Sequence, residues 1–329
     1  MKIGVAINET WAFFQDIYTE LQRHHTVSVF EPRKHTLPIF RERLTRKLFE
    51  GDLSSFMRSN QAVFFEWSGQ LLAAATQLPK TSPIVTRLHR YELYHWADKI
   101  DWNKVDRIIV VSEAKRHEFT ARIKGQEHKL VVVPESVSLK RFLPVERRFN
   151  RDIGTLCNLT PRKRVYELIL AFVDLGLHQK GYRLHIGGGE HERFKDYYDA
   201  LISLPERLGV NERVIFYGKI DDSLGFYRNL DIFISNSYSE GLQVSPIESI
   251  ASGCYCLSHH WPGAAELLPA ENLFMTDSEL GQRLEIYEGL SEAERREKRD
   301  RLRQHIVSRF DGEKISLQIR QIIEEAARG

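Results

Sequence analysis

Short apolar runs alternate with helical patterns along this chain, and that alternation constrains the fold more than any other feature. In the first half, strand-like runs lie at Lys2–Ile7, Thr26–Phe30, Ala62–Glu66, Pro83–Arg87, Arg107–Val111 and Leu130–Val133, and helical patterns at Trp11–Arg23, Gly69–Gln77 and Glu113–Arg122. Such an order predicts a parallel sheet with helices on both faces. In sheets of this kind, ligands bind beyond the carboxyl ends of the strands.

The same alternation restarts after a segment rich in proline and charge, which predicts a second α/β domain. A chain of 329 residues is also too long for most single cores. We place the linker near Pro144–Arg151, which gives domains of residues 1–147 and 148–329. In the second domain the pattern predicts strands at Asp152–Cys157, Tyr182–Ile186 and Arg213–Tyr217, and helices at Asp222–Asn229, Ser291–Arg309 and Ser316–Ala327.

Composition narrows the classes of protein that this chain can be. No apolar run approaches the 18 or so residues that a membrane span needs. The first ten residues read as the start of a strand and not as a signal peptide. Three cysteines give neither a disulfide framework nor a zinc spacing. We therefore expect a cytoplasmic protein.

Charge is distributed unevenly along the chain. Residues 1–150 hold 24 Lys and Arg against 17 Asp and Glu, whereas the remainder holds 23 against 28. A basic first domain suits an anionic acceptor or contact with the inner membrane face, and chance is an equal alternative. The basic stretch Arg41–Phe49 fits a helix on a membrane surface, or a packed helix with a solvated face. No nucleic-acid-binding motif accompanies the charge.

The stretch Ile232–Glu266 carries the strongest local signal. A short apolar run at Ile232–Ile234 predicts a buried strand, and a helix start follows. Ser245 is a suitable N-cap, with Pro246 at the first helical position and Glu248 three residues after the cap. Gly253 is a suitable stop.

This unit places two carboxylates, Glu240 and Glu248, at the junction of a loop and a helix. Free N–H groups and the dipole at a helix N-terminus favour a phosphate, and Gly241 lets backbone approach a ligand closely. Carboxylates accept hydrogen bonds from sugar hydroxyls. The combination predicts a sugar-nucleotide site, while the plainer alternative is that Glu248 only completes a capping box.

The motif Glu240-Gly241-Leu242, followed by Pro246–Ser249 and Ala251–Gly253, resembles the E-x7-E signature of retaining glycosyltransferases of family 4. This resemblance implies the GT-B fold, in which two Rossmann-like domains face a cleft and the last helix crosses back to the first domain. It further implies a nucleotide-diphosphate sugar as donor, retention of anomeric configuration, and neither a metal nor a cofactor. A UDP- or GDP-sugar is the expected donor; the acceptor, for which an anionic glycan or a lipid-linked molecule is considered, stays open.

The resemblance also assigns roles to residues. Glu240 would bind sugar hydroxyls with Gly241, Leu242 and Gln243 beside it, Glu248 would bind the ribose, and Lys163 matches a lysine that grips the diphosphate. Asn158 stands where the family has an arginine, so Arg162 or Arg164 would have to supply that charge. His89 follows a strand where the family has a histidine near the donor sugar, with an ordinary loop histidine as the equal alternative.

Two further turns follow strands in the second domain. Gly187-Gly188-Gly189 permits close approach to a ligand but lacks the dinucleotide fingerprint, since Glu192 occupies the last position. The family places this turn beside the nucleotide, and a turn without a ligand is the alternative. Gly218-Lys219-Ile220 resembles the segment that reads the base.

Other functions remain alternatives. A degenerate member that binds a nucleotide sugar or a partner without turnover is favoured by Asn158 and by the loop Asn8–Trp11, which has no glycine. A nicotinamide dehydrogenase lacks the glycine fingerprint in both halves. A GT-B epimerase or phosphorylase fits the signature less well than a transferase.

Overall fold

The computed structural model describes residues 1–11, 14–32 and 41–329, and only the backbone of residues 41–44. Its strands in chain order are β1 (Lys2–Ala6), β2 (Thr26–Val29), β3 (Ala62–Glu66), β4 (Ile84–Leu88), β5 (Arg107–Val110), β6 (Leu130–Val132), β7 (Asp152–Leu156), β8 (Arg183–Gly187), β9 (Val214–Gly218), β10 (Ile232–Ser235), β11 (Tyr255–His259) and β12 (Leu273–Phe274).

The helices in chain order are α1 (Gln15–His24), α2 (Arg41–Ser59), α3 (Gln70–Gln77), α4 (Tyr91–His95), α5 (Glu113–Arg122), α6 (Val165–Asp174), α7 (Lys195–Arg207), α8 (Ser223–Arg228), α9 (Val244–Ala251), α10 (Ala264–Leu267), α11 (Asp277–Glu288), α12 (Glu292–Arg309) and α13 (Gly312–Arg328). All strands predicted above are present, and their ends differ from the prediction by at most one residue. The predicted helix Trp11–Arg23 is confirmed as α1 from Gln15 onward, and its residues 12–13 lie outside the described part.

The chain divides into two compact units. Unit 1 comprises Met1–Glu135 and Gly312–Gly329, and unit 2 comprises Ser136–Asp311. The predicted boundary at 147/148 therefore falls inside unit 2. The last helix, α13, belongs to unit 1 because its isoleucines pack with α1 and with the first strands of that unit.

Unit 1 is built around a parallel six-stranded sheet in the order β2-β1-β3-β4-β5-β6. Strands β3 and β4 are buried along their whole length, as expected for strands covered on both faces. On one face, Ile315, Ile319 and Ile323 of α13 join Ile3 and Val5 in a single apolar cluster. The terminal helix thus completes the core of the first sheet.

Unit 2 repeats this design with a parallel sheet in the order β12-β11-β10-β7-β8-β9. The apolar runs that predicted β7, β8 and β10 form its buried centre. Two parallel six-stranded sheets, each with helices between its strands, confirm the predicted α/β fold class.

Candidate functional site

In unit 2, the order of strands creates a natural binding edge. From β7 the chain continues outward through β8 and β9, and then returns to β10 on the other side of β7. Ile232 of β10 pairs with Ile153 of β7 in parallel register, so both strands end at the same edge. Ligands of open parallel sheets bind where the strand order reverses in this way.

The loops that follow β7 and β10 are bonded to each other at this edge. Asn236 donates through Nδ2 to the carbonyl of Arg164 at 3.0 Å, and the backbone N–H of Tyr238 donates to the carbonyl of Arg162 at 3.3 Å. Arg164 has a φ of 51°, a left-handed conformation that turns the chain from the short 3-10 helix Pro161–Lys163 into α6. These bonds hold the loop after β7, which carries Arg162 and Lys163, against the loop after β10, which carries Glu240.

Three of the predicted residues meet here in an ion cluster around the buried carboxylate of Glu240. Lys163 Nζ lies 2.6 Å from Glu240 Oε1, and Arg162 Nη1 lies 2.6 Å from Glu240 Oε2. Burial alone would raise the pKa of Glu240, but the charges of Lys163 and Arg162 outweigh it and lower that pKa to about 2. Arg162 also donates to the carbonyl of Ser239 at 2.6 Å. Glu240 is therefore an anion held by two cations.

The second carboxylate of the signature has a different environment. Burial raises the pKa of Glu248 to about 7, and the phenol of Tyr227 donates to its Oε2 at 2.9 Å. The helix start predicted at Ser245 and Pro246 is wrong, and so is the alternative in which Glu248 completes a capping box. Helix α9 begins at Val244 after Gln243, and no side chain caps it. Glu248 is thus turned toward Tyr227 of α8. Gly253 follows the end of α9 with a φ of 90°, so the predicted stop is confirmed.

The N-terminal end of α9 adjoins the ion cluster along the chain. Gln243 is buried at its cap position and accepts a hydrogen bond from Ser235 at the end of β10. Gly241 and Leu242 are buried between that glutamine and Glu240. The first N–H groups of a helix have no partner within the helix, and here Pro246 contributes none of its own.

The two predicted glycine turns lie side by side at the carboxyl ends of β8 and β9. The N–H of Gly188 donates to the carbonyl of Gly218 at 2.8 Å. Gly188 has a φ of 140°, and a Cβ built there would lie 2.0 Å from the carbonyl oxygen of Cys157, so only glycine fits. A Cβ on Gly189 would lie 3.5 Å from Lys219, whose own side chain is exposed, while Ile220 packs toward Gly187.

Asn158 and Arg164 stand apart from the ion cluster. Asn158 is exposed in the loop directly after β7. Arg164 supplies its carbonyl to Asn236, and its charge, second to burial, lowers the pKa of His259. Of the two arginines considered as substitutes for the missing one, Arg162 is the one bonded to Glu240.

His89 lies in unit 1, at the carboxyl end of β4, within a buried network of charges. Its Nδ1 lies 2.6 Å from Glu135 and its Nε2 lies 2.9 Å from Glu66, while Arg87 bonds both carboxylates. Burial opposes the charged imidazole, but the two carboxylates raise the pKa of His89 to about 10. The ring is stacked on Trp67 with 3.9 Å between centroids. His89 is therefore a buried cation whose two nitrogens both face carboxylates.

Two absences concern the described part of the chain. It places no three histidine, cysteine, aspartate or glutamate side chains together where they would hold a metal ion. None of its helices combines the length and the apolar character that crossing a membrane requires.

Residues 150–284, which contain β7 to β12 and the ion cluster, match the family described as Glycosyl transferases group 1. This part of the chain is thus similar to a glycosyltransferase group 1 domain. Its sequence is 25% identical over 179 residues to the capsular polysaccharide biosynthesis glycosyltransferase CapM of Staphylococcus aureus, covering 49% of this chain and 45% of that protein. It is 26% identical over 162 residues to a D-inositol 3-phosphate glycosyltransferase of Mycobacterium sp. strain KMS, covering 46% of this chain and 36% of that protein.

The chain thus spans less than half the length of these curated relatives. Solved structures extend the likeness of the fold to the whole chain. HepE of Anabaena, solved in complex with UDP and glucose, superposes with a TM-score of 0.80 at 18% identity over 99% of this chain and all of that one. The sucrose-phosphate synthase of Thermosynechococcus elongatus gives 0.79 at 15% identity over 98% of both chains. Both likenesses confirm the GT-B fold.

Some residues of the site escaped sequence reasoning. Tyr227 lies 21 positions before Glu248, and nothing in the local pattern links the two. Glu66, Arg87 and Glu135 are spread over 70 residues, and their only signal is that each is a charged residue close to the carboxyl end of a strand of unit 1. A charged side chain buried at such a position needs a partner of opposite charge or has a role in the function of the protein.

Proposed function

We propose that this chain transfers a sugar from a nucleotide-diphosphate donor to an acceptor hydroxyl, with retention of configuration and without a metal ion. The observation that carries the proposal is the convergence of Lys163, Arg162 and Glu240 where the strand order of unit 2 reverses, next to α9. Two cations at this edge suit a diphosphate. A buried ionised carboxylate beside them suits sugar hydroxyls.

Each group has a defined task in this proposal. Lys163, Arg162 and the first N–H groups of α9 stabilise the charge that develops on the departing diphosphate. Glu240 orients the sugar through its hydroxyls, and Glu248 binds the ribose. The turns Gly188–Gly189 and Gly218–Ile220 bring backbone close to the nucleotide. His89 acts through its fixed positive charge, because a pKa of about 10 leaves it unsuited to shuttle protons near neutral pH.

A UDP-sugar is the first donor to test, since HepE, which shares this fold, was solved with UDP and with UDP-glucose. For the acceptor, we propose an anionic glycan or a lipid-linked molecule in cell-surface glycan synthesis. The capsular polysaccharide relative and the basic residues 1–150 support this choice. The reaction would take place in the cytoplasm. The exposed basic residues Arg46 and Lys47 of α2 would contact the inner membrane face, since Phe49, Leu53 and Met57 of that helix pack into the core of unit 1.

The first experiment measures donor binding by calorimetry with UDP-, GDP- and ADP-sugars. Lys163→Met should weaken binding of the preferred donor roughly 10- to 150-fold, the scale of losing a hydrogen bond between charged groups. The matched control is Lys180→Met, which removes an exposed lysine paired with Glu285 in the same unit. Equal effects of both variants, or no binding of any nucleotide sugar by the wild type, would contradict the proposed donor site.

A second candidate function is binding of a nucleotide sugar without turnover, which the neutral Asn158 at the usual arginine position favours. Donor consumption separates the two. With a suitable acceptor, a transferase releases the nucleoside diphosphate, and NMR of the new linkage reports whether configuration is retained. Binding without release of nucleotide across a broad acceptor panel would favour the second candidate.

A further inference from the structure

In the structure, both cations of the candidate site already have an anion. Lys163 and Arg162 each lie 2.6 Å from one oxygen of Glu240, and the Glu240 side chain is only 8% exposed. These are the same two cations that the proposed function assigns to the donor diphosphate. A diphosphate and Glu240 therefore compete for one set of positive charges.

We propose that Glu240 makes this site discriminate between the nucleotide sugar and the nucleoside diphosphate product, by competing with the diphosphate for Lys163 and Arg162. This inference rests on the proposed function. The discrimination depends on the contact of Glu240 with Lys163 and Arg162. The sequence alone does not reveal that contact.

The argument follows from the energetics of buried charge. When phosphate oxygens recruit Lys163 and Arg162, the carboxylate of Glu240 loses its counter-charges in a place where water reaches it poorly. A buried charge that loses its partner is strongly unfavourable. The nucleotide sugar offers hydroxyl groups that donate to the carboxylate in exchange, whereas the free diphosphate offers none. Glu240 thus penalises the product more than the donor, which favours release after transfer.

A purely structural role for Glu240 predicts something different. If the carboxylate only positions Lys163 and Arg162, its loss would leave both cations misplaced. Binding of the donor and of the product would then weaken in the same proportion. The two readings therefore differ in the sign of one effect, the change in affinity for the free diphosphate.

The test measures Kd by calorimetry for UDP, for UDP-glucose and for inorganic pyrophosphate, with the wild type and with Glu240→Gln. The variant keeps the shape of the side chain and removes its charge. We expect UDP and pyrophosphate to bind roughly fivefold or more tightly to the variant, and UDP-glucose to bind more weakly, within the range typical of coupling between two ligands. Pyrophosphate reports on the cations alone, independently of the base and the sugar.

Glu248→Gln is the matched control, because its proposed ribose contact is common to UDP and UDP-glucose. It should weaken both ligands by similar factors and leave pyrophosphate unchanged. If Glu240→Gln weakens UDP and UDP-glucose equally, or weakens pyrophosphate, the discrimination is disproved while the donor site stands. If the wild type binds no nucleotide or nucleotide sugar, including the GDP and ADP series, the proposed function fails and the inference fails with it.

Discussion

At the scale of single residues, the two glutamates of the signature differ in the charge that their surroundings impose. Lys163 and Arg162 outweigh burial at Glu240 and keep it ionised, with a pKa of about 2. At Glu248 burial dominates and raises the pKa to about 7, although Tyr227 and the charge of Arg141 lower it. Glu248 is thus the carboxylate of this site that changes its charge near neutral pH.

The ionisation of Glu248 makes donor affinity depend on pH. A carboxyl group with a raised folded pKa favours the protonated form, so its effect on folding stability is most favourable at low pH and is lost as pH rises toward 7. Ribose hydroxyls donate hydrogen bonds to the ionised carboxylate, so the affinity for the donor should increase as pH rises. We expect UDP-glucose to bind about tenfold more tightly at pH 8 than at pH 6, following the ionised fraction of a group with a pKa near 7.

Calorimetry with UDP-glucose is the suitable measurement, because its diphosphate, unlike a terminal phosphate, has no proton that titrates in this range. Glu248→Gln should bind with little dependence on pH. A wild-type affinity that stays constant between pH 6 and pH 8, or the same slope in the variant, would contradict a ribose contact by Glu248.

At the scale of secondary-structure elements, α13 links the end of the chain to the core of unit 1. Ile319 is fully buried among residues of β1, α1 and β3, whereas Leu317, two positions earlier on the same helix, is 39% exposed. An ion pair between Arg320 and Glu20 at 3.1 Å and a hydrogen bond between His25 and Glu324 at 2.9 Å support the contact. The helix is therefore part of the first sheet's core despite its distance along the chain.

This packing predicts that Ile319→Ala destabilises the protein by roughly 2–5 kcal/mol, the usual cost of removing a large aliphatic side chain from a core. Leu317→Ala, the matched substitution on the exposed face, should cost well under half as much. Heat denaturation with limited proteolysis provides the measurement, and the first cleavages in Ile319→Ala should fall within residues 1–135. Equal destabilisation by the two variants would show that α13 does not complete that core.

At the scale of the whole molecule, donor binding is assigned almost entirely to one of the two units. Apart from His89, every residue proposed to bind the donor belongs to unit 2, which is continuous from Ser136 to Asp311. Unit 1 is discontinuous and needs both ends of the chain. We therefore expect unit 2 to bind the donor on its own, whereas transfer of the sugar should require the complete protein.

We expect a fragment of residues 136–311 to fold and to bind the preferred nucleotide sugar without transferring it. The contacts that Lys163, Arg162 and Glu240 make with one another and with Ser239 lie within that range, which is the physical reason. Circular dichroism would establish folding and calorimetry would measure binding. A folded fragment that fails to bind the donor that the full chain binds would show that unit 1 supplies donor contacts.

The amino-acid sequence by itself determined the elements and the class of fold. Apolar runs such as Ala62–Glu66 and Ile232–Ile234 are local signals, because burial on both faces of a parallel sheet requires apolar residues in succession. The spacing of Glu240 and Glu248 is also local, and it was sufficient to suggest a sugar-nucleotide site. Lys163 was assigned to the same site through the resemblance alone.

Only the tertiary structure decided which charges meet. Lys163 and Glu240 are 77 positions apart. Glu66 and Arg87 lie in β3 and β4, whereas His89 and Glu135 lie in the segments that follow β4 and β6. Their pairing depends on the order of strands within each sheet, which periodicity does not encode. Tyr227 likewise reaches Glu248 because α8 and α9 pack together, whereas local spacing had left a capping box open as the alternative role of Glu248. Strand order and helix packing therefore set the charge of each carboxylate and, with it, the chemistry that the site can perform.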